Sequence, residues 1–300
     1  MVAFIERGVT GEFEVNSASR YFMQKLSRHR LRFVLVAVTG ACLLLLAAVR
    51  FQITGGHIHM IENSSSPSAR ISKLPSKILW AWERPEKLDY LDPQKTGIAF
   101  LAKTVYLRAD RIVSRPRLQP LAVPQGAQVI AVARVESDRS QPPALSNQQV
   151  NDVAVEISEL ASLPNVVMVQ VDFDATLTER AFYRSLLTEL RARLPQSTLL
   201  SITALASWCK GDNWLDDLPV DEAVPMLFRM GVERKQFLSQ LATGETFSAR
   251  ICQGSVGIST DEPIAQLPAV KRVYVFNPTS WSADQVNRIM EASADEPEDK

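Results

Sequence analysis

Three hundred residues with 46% hydrophobic content can bury one large core, and α/β barrels of this length commonly form a single domain. Lysine plus arginine equals aspartate plus glutamate at 33 each, so no global field attracts nucleic acid or an acidic partner, and nucleic-acid binding is not expected. His29, His57 and His59 all precede residue 60. The rest of the chain therefore has no imidazole for a Ser-His-Asp or Cys-His site or a zinc cluster, and any chemistry there rests mostly on carboxylates.

Residues 1–32 are a basic segment, with Arg7, Arg20, Lys25, Arg28, Arg30 and Arg32 set against Glu6, Glu12 and Glu14. Residues 33–49 carry no charge, a length at the lower edge of what crosses a bilayer. The basic flank predicts a single-pass inner-membrane anchor with a cytoplasmic N-terminus and a periplasmic main domain. The alternative is a cleaved signal peptide that releases the protein into the periplasm. Cys42 in Thr39-Gly40-Ala41-Cys42 is a poor match to a lipoprotein site. Residues 50–75, with Gly55-Gly56, Ser64-Ser65-Ser66-Pro67 and Pro75, read as a linker.

The body, residues 76–292, opens with a short strand, Ile78 to Trp82, which ends at Glu83-Arg84-Pro85. A second strand covers Gly97 to Leu107. From Arg108 to Gly126 three prolines and no helical period predict an extended connection. Val129 to Val135 is a third strand, with Ile130, Val132, Arg134 and Glu136 on one face. A helical pattern from Asn147 to Leu163 leads into Val166 to Ala175, where Val167, Val169, Val171 and Phe173 share one side and Met168, Gln170, Asp172 and Asp174 the other. Thr178 is the expected N-cap of the next helix, in which Phe182, Leu186, Leu187, Leu190 and Leu194 recur at helical spacing until Pro195. Leu199 to Ser207 places Ser201, Thr203, Leu205 and Ser207 opposite Leu200, Ile202, Ala204 and Ala206. Ala223 to Met230, Ala249 to Ser259 and Val270 to Asn277 are weaker strands, the last followed by a helix near Ser282. Residues 293–300 read as a disordered acidic tail. Eight strands with helices between only some of them predict an α/β chain, a (β/α)8 TIM-type barrel with reduced helices in its first third. An open doubly wound sheet is the alternative.

Asp172 and Asp174 lie two residues apart on one face, with alpha carbons roughly 6 to 7 Å apart. Like charges that close push one carboxyl's pKa up, and a carboxylic acid still protonated near neutrality can protonate a leaving oxygen. Asp174, nearer the mouth, is the candidate acid, and Asp172 would tune or orient it; the alternative is that both face solvent or hold a cation. Glu136 and Arg134 add a third carboxylate and a cation at a neighbouring strand end, or form an ion pair sealing the barrel top. Trp80, Trp82, Trp208 and Trp281 fall at strand ends or just beyond, and indoles there either stack on sugar rings or pack in the core. Cys209 and Cys252 can pair in an oxidising compartment. Gly254 and Gly257 do not make a dinucleotide fingerprint, and no cofactor or metal is implied.

The runs Ile78-Leu79-Trp80-Ala81-Trp82-Glu83-Arg84-Pro85, Val171-Asp172-Phe173-Asp174-Ala175, Ser201 to Cys209 and Asp221 to Gly231 resemble an uncharacterised bacterial family, the domain of unknown function numbered 3142, over roughly residues 76–282. More distantly, Gln170-Val171-Asp172-Phe173-Asp174 is similar to the Asp-x-Asp-x-Glu strand of family 18 glycoside hydrolases, the chitinase-like barrels, and Met226-Leu227-Phe228-Arg229 is similar to their later Met-x-Tyr-Asp. This second resemblance implies Asp174 as proton donor and Asp172 as the aspartate that supports it. Gln170 stands where the family has an aspartate, Phe228 lacks the tyrosine hydroxyl and Arg229 reverses a charge, which speaks against an N-acetyl sugar and leaves Glu136 as the second carboxylate. Gln170, Phe228 and Arg229, with Arg134, Asn277 and the four indoles, would bind the substrate. The expected function is a membrane-anchored glycoside hydrolase-like protein acting on or binding a polysaccharide or oligosaccharide outside the cytoplasm. The alternative is a non-catalytic carbohydrate-binding or scaffold barrel of the cell envelope.

Overall fold

A computed structural model describes residues 67–291. The basic segment, the apolar stretch 33–49, Cys42, the three histidines, most of the linker and the tail 293–300 lie outside the described residues. Among the described residues, no helix is long and apolar enough to cross a membrane.

The chain runs α1 (Pro67–Ile71), β1 (Lys77–Ala81), β2 (Glu86–Lys87), β3 (Thr96–Arg108), β4 (Arg111–Pro116), β5 (Leu121–Ala122) and β6 (Val129–Ser137). It continues through α2 (Asn147–Ser158), β7 (Val166–Asp172), α3 (Arg180–Arg193), β8 (Leu199–Leu205), β9 (Glu222–Met226), α4 (Arg234–Ala242), β10 (Ser255–Ser259), β11 (Arg272–Phe276) and α5 (Ala283–Glu291). Eight strands, β1, β3, β6, β7, β8, β9, β10 and β11, pair in parallel with their neighbours, and β11 pairs with β1 to close the cylinder. This is a TIM-like α/β barrel, not an open sheet. Strand β3 is long enough to change partners: Thr96–Phe100 pair with β1, and Lys103–Arg108 form an antiparallel hairpin with β4. The predicted extended connection after Arg108 is therefore this hairpin plus the two-residue β5, which pairs with β2.

Alternation along the strands builds two apolar layers. Inside the barrel, Ile78, Leu101, Ile130, Val132, Met168 and Tyr274 fill the cylinder. Outside it, Val169 and Val171 of β7 pack with Val153 and Ile157 of α2 and Phe182, Leu186 and Leu190 of α3. Each fully buried aliphatic side chain in that layer stabilises the fold by about 1.5–3 kcal/mol. The cap of the α3 segment is Thr176, not Thr178: its hydroxyl and backbone N–H both engage Glu179, which in turn accepts a hydrogen bond from Ser137 of β6. A one-turn 3₁₀ segment, Leu177–Glu179, precedes the helix proper.

Helices follow β6, β7, β9 and β11, whereas β8 leads into 3₁₀ turns and β10 into an irregular loop. The reduction is thus not confined to the first third. Helix α4 lies where no periodicity stands out; only Phe237 and Leu241 of it are buried. The expected strand Ala249 to Ser259 is shortened because Arg250–Cys252 is a 3₁₀ turn, in which Cys252 forms a disulfide with Cys209, 43 residues earlier, in the turn after β8. Closing a loop of that length restricts the unfolded chain by about 4 kcal/mol on the chain-entropy account. A double Cys209→Ala, Cys252→Ala variant is expected to unfold at clearly lower urea than the oxidised protein; equal midpoints would show that the link adds nothing.

Candidate functional site

The carboxyl ends of the barrel strands open onto a cavity of about 280 Å3. Its walls divide by strand order. Trp80 of β1, Trp82 just beyond it, Phe228 from beyond β9 and Phe276 from β11 form an aromatic arc, while Arg134 of β6, Asp172 of β7, Asp174 just beyond it and Thr203 of β8 form the other arc. Leu205, Met226 and Arg229 complete the lining.

Parallel register creates the polar arc. Arg134 of β6 pairs with Asp172 of β7, so two inward side chains of opposite charge meet, with Arg134 Nη1 donating to Asp172 Oδ2 at 3.2 Å. Thr203 Oγ1 donates to Asp172 Oδ1 at 2.7 Å. Both oxygens of this buried carboxylate are therefore satisfied. Arg134 also donates through Nε to Glu136 Oε1 at 2.5 Å and lies 5.9 Å from the Trp82 ring centroid, which puts a cation against an aromatic face. One guanidinium thus ties two carboxylates to the aromatic wall.

Asp174 differs from both. Just beyond the end of β7, it accepts no hydrogen bond and forms no ion pair among the described residues. Burial in the crowded mouth raises its pKa, the Asp172 carboxylate raises it further, Arg134 opposes and Glu136 adds to the rise. Asp174 is at the same time an exposed residue, and solvent tempers the effect. The sign of the linkage is set by this rise. The folded protein holds the Asp174 proton more tightly than the unfolded chain does, so the ionised carboxyl disfavours the fold above the unfolded-state pKa, about 3.9. Asp174→Asn is accordingly expected to raise the urea midpoint at pH 7, with the gain shrinking as the pH falls toward 3. A variant less stable than wild type at pH 7 would contradict this reading.

The aromatic arc is a continuous surface. Phe228 and Phe276 stack with centroids 5.7 Å apart and planes 2° apart, Trp82 meets Phe276 edge-on at 6.0 Å, and Trp80 meets Phe228 at 6.3 Å. Arg229, at φ 56, lines the cavity, but its guanidinium is bound by Asp261 at 2.7 Å and by Glu262.

Seven residues singled out from sequence thus share one cavity: Trp80, Trp82, Arg134, Asp172, Asp174, Phe228 and Arg229. Glu136 adjoins it through Arg134. The other four do not line it. Gln170, two residues before Asp172, is fully buried one layer deeper in the barrel. Trp208 sits in the 3₁₀ turn Ala206–Cys209 and packs edge-on against Trp214 at 4.8 Å. Trp281 is buried, its Nε1 donating to the Trp80 carbonyl at 2.9 Å. Asn277 is buried in a loop network with Thr260, Thr279 and Ser280. Conversely, Thr203, Leu205, Met226 and Phe276 belong to the cavity without having been singled out, although strand alternation already grouped Thr203 and Leu205 with Ser201. Among the described residues no group of three or more His, Cys, Asp or Glu is arranged to hold a metal ion. No protein-family model, curated protein or solved structure matches the chain.

Proposed function

We propose that the cavity binds a carbohydrate and that Asp174 protonates the glycosidic oxygen of a polysaccharide outside the cytoplasm. One observation carries this reading: a carboxyl with no hydrogen-bond or ion-pair partner among the described residues, set beside Asp172, faces a cavity walled by four aromatic rings. Sugar C–H faces stack on such rings, and a carboxyl that burial and Asp172 incline to hold its proton suits proton donation to a leaving oxygen. Once the proton has left, attraction to Arg134 favours the Asp174 anion. Arg134 and Thr203, by binding Asp172, fix the position of the carboxylate that adds to the effect of burial on Asp174. The similarity of this strand to that of the family 18 glycoside hydrolases supports the same roles. The proposed compartment is the periplasm, reached through an anchor or signal segment at residues 33–49; the Cys209–Cys252 disulfide supports an oxidising environment.

A second reading, a non-catalytic glycan-binding barrel of the cell envelope, is favoured by one fact. Asp172 and Glu136 are both bound to Arg134, so neither is a free base or nucleophile to act with Asp174. Incubating the full-length protein with a panel of bacterial polysaccharides and measuring released reducing ends separates the two. Release supports the hydrolase, binding without release supports the second reading, and neither binding nor release removes both.

A further inference from the structure

The interior of the barrel below the cavity is apolar except for one connected set of polar side chains. Glu222, Ser255 and Arg272 are the first residues of β9, β10 and β11, so they sit at the end of the cylinder opposite the mouth. All three are buried. Arg272 Nη1 donates to Glu222 Oε1 at 2.9 Å, and Ser255 donates to the same oxygen. Tyr274 donates its hydroxyl to Glu222 Oε2 at 2.7 Å. Burial, with the Glu222 carboxylate next, pushes the Tyr274 phenol well above its ordinary value, so it stays a donor.

From this carboxylate a single line of hydrogen bonds leads up to the cavity. In the register of the parallel strands Glu222 lies beside Ser201, and Ser201 beside Gln170. Ser201 Oγ donates to Glu222 Oε2 at 3.3 Å, and Gln170 Nε2 donates to Ser201 Oγ at 3.1 Å. Gln170 Oε1 then accepts from Trp80 Nε1 at 2.9 Å, across the barrel on β1. The two ends of this line are chemically one-sided: an indole N–H can only donate and a carboxylate can only accept. Ser201 and Gln170 can each do both, so the ends decide. With Glu222 accepting at the bottom, every bond points the same way, and the amide oxygen of Gln170 is turned toward Trp80.

The rest of the Trp80 ring is also fitted. A Cβ at Gly257 would come within 2.8 Å of its Cη2 atom, so the absence of a side chain there is what admits the six-membered ring. Tyr274 lies 5.2 Å away and Phe228 6.3 Å away, centroid to centroid. Trp80 is almost wholly buried yet forms part of the cavity lining, as a floor would.

We propose that Glu222, Ser201 and Gln170 are positioning residues: a one-way hydrogen-bond chain from the bottom of the barrel that fixes the indole of Trp80 as the floor of the binding cavity. The role of that floor rests on the carbohydrate reading above; the chain itself does not. A buried polar line inside an apolar cylinder disfavours the fold unless every member is satisfied, and once satisfied it specifies one arrangement. Valine or leucine at these positions would fill the interior and leave the indole N–H without an acceptor.

The test reads the indole directly. The full-length protein is labelled with 15N-indole tryptophan, the Trp80 signal is identified by its loss in Trp80→Phe, and the exchange of its N–H with solvent is followed. Ser201→Ala cuts the chain without touching the Arg272 ion pair, and is expected to make Trp80 N–H exchange at least about tenfold faster. Glu222→Gln, which lets the amide donate to Ser201 and so removes the one-way constraint, is expected to act in the same direction although residue 222 does not touch Trp80. Ser255→Ala removes a donor to the same carboxylate but lies off the line, and should leave the Trp80 signal unchanged. Exchange in Ser201→Ala within about twofold of wild type overturns the proposal, as does an equal response in Ser255→Ala. If the polysaccharide panel shows no binding while Ser201→Ala still frees the indole, the chain stands and the carbohydrate reading falls.

Discussion

Replacing Asp174 by Asn should lower polysaccharide hydrolysis by on the order of 10²–10⁴-fold, the span that a positioned general acid supplies, while glycan affinity and fold stay close to wild type. The substitution keeps the shape of the side chain and removes only the transferable proton. Because Asp174 accepts no hydrogen bond from the described residues, no protein donor is orphaned. Asp172→Asn would be a different experiment, since it weakens the bond from Arg134 and changes the one from Thr203, so loss of activity there would report geometry as well as charge. The pH dependence gives a second check. Because burial and Asp172 raise the Asp174 pKa, the loss of wild-type activity at high pH should follow its deprotonation, and Asp174→Asn should lack that limb in whatever activity remains. Unchanged turnover in Asp174→Asn, with the protein folded, would remove the assignment.

Removing Glu222 altogether should have the largest effect on stability. Glu222→Leu leaves four donors without their acceptor, from Ser201, Ser255, Tyr274 and Arg272, and strands a buried guanidinium with no counter-charge. Breaking a buried pair from one side costs about 3–5 kcal/mol, a large share of the roughly 5–15 kcal/mol that holds a domain together. Arg272 keeps its bonds to the carbonyls of Ile71, Leu74 and Pro75, so the entry of the chain below the barrel should stay pinned. The double variant Glu222→Leu, Arg272→Met should recover part of the loss, because the orphaned charge has gone with its partner. Urea unfolding of the single and double variants measures this. A single-variant loss below about 1 kcal/mol would mean that the buried pair contributes no more than an exposed one.

Much of the barrel was legible in sequence because strand alternation is a strong signal where one face must be dry. The expected and observed bounds of β7 and β8 agree to within a few residues for that reason. Closure was not legible in the same way: it depends on β11 meeting β1, a pairing between opposite ends of the domain that no local pattern encodes. Helix α4 carries no clear periodic signal, because only Phe237 and Leu241 of its nine residues are buried. At the site, Arg134, Asp172 and Asp174 were found because inward positions at strand ends are fixed by alternation. Trp208 and Trp281 lie outside the cavity because both fall past the last paired residue of their strands, where alternation no longer says which way a side chain points. Gln170 shares the inward face of Asp172 but lies one strand repeat, about 7 Å, below the cavity. Thr203 and Phe276 carry no sequence signal, because an ordinary threonine and phenylalanine acquire meaning only when the closed barrel sets them beside Asp172 and Trp80.

The most direct test of the central claim is to follow the indole resonances of all five tryptophans in the full-length protein during titration with a panel of oligosaccharides. The cavity predicts that a bound glycan shifts Trp80 and Trp82 together and leaves Trp208 and Trp214 in place. A glycan that moved Trp208 or Trp214 instead, or a panel that moved no indole at all, would contradict it.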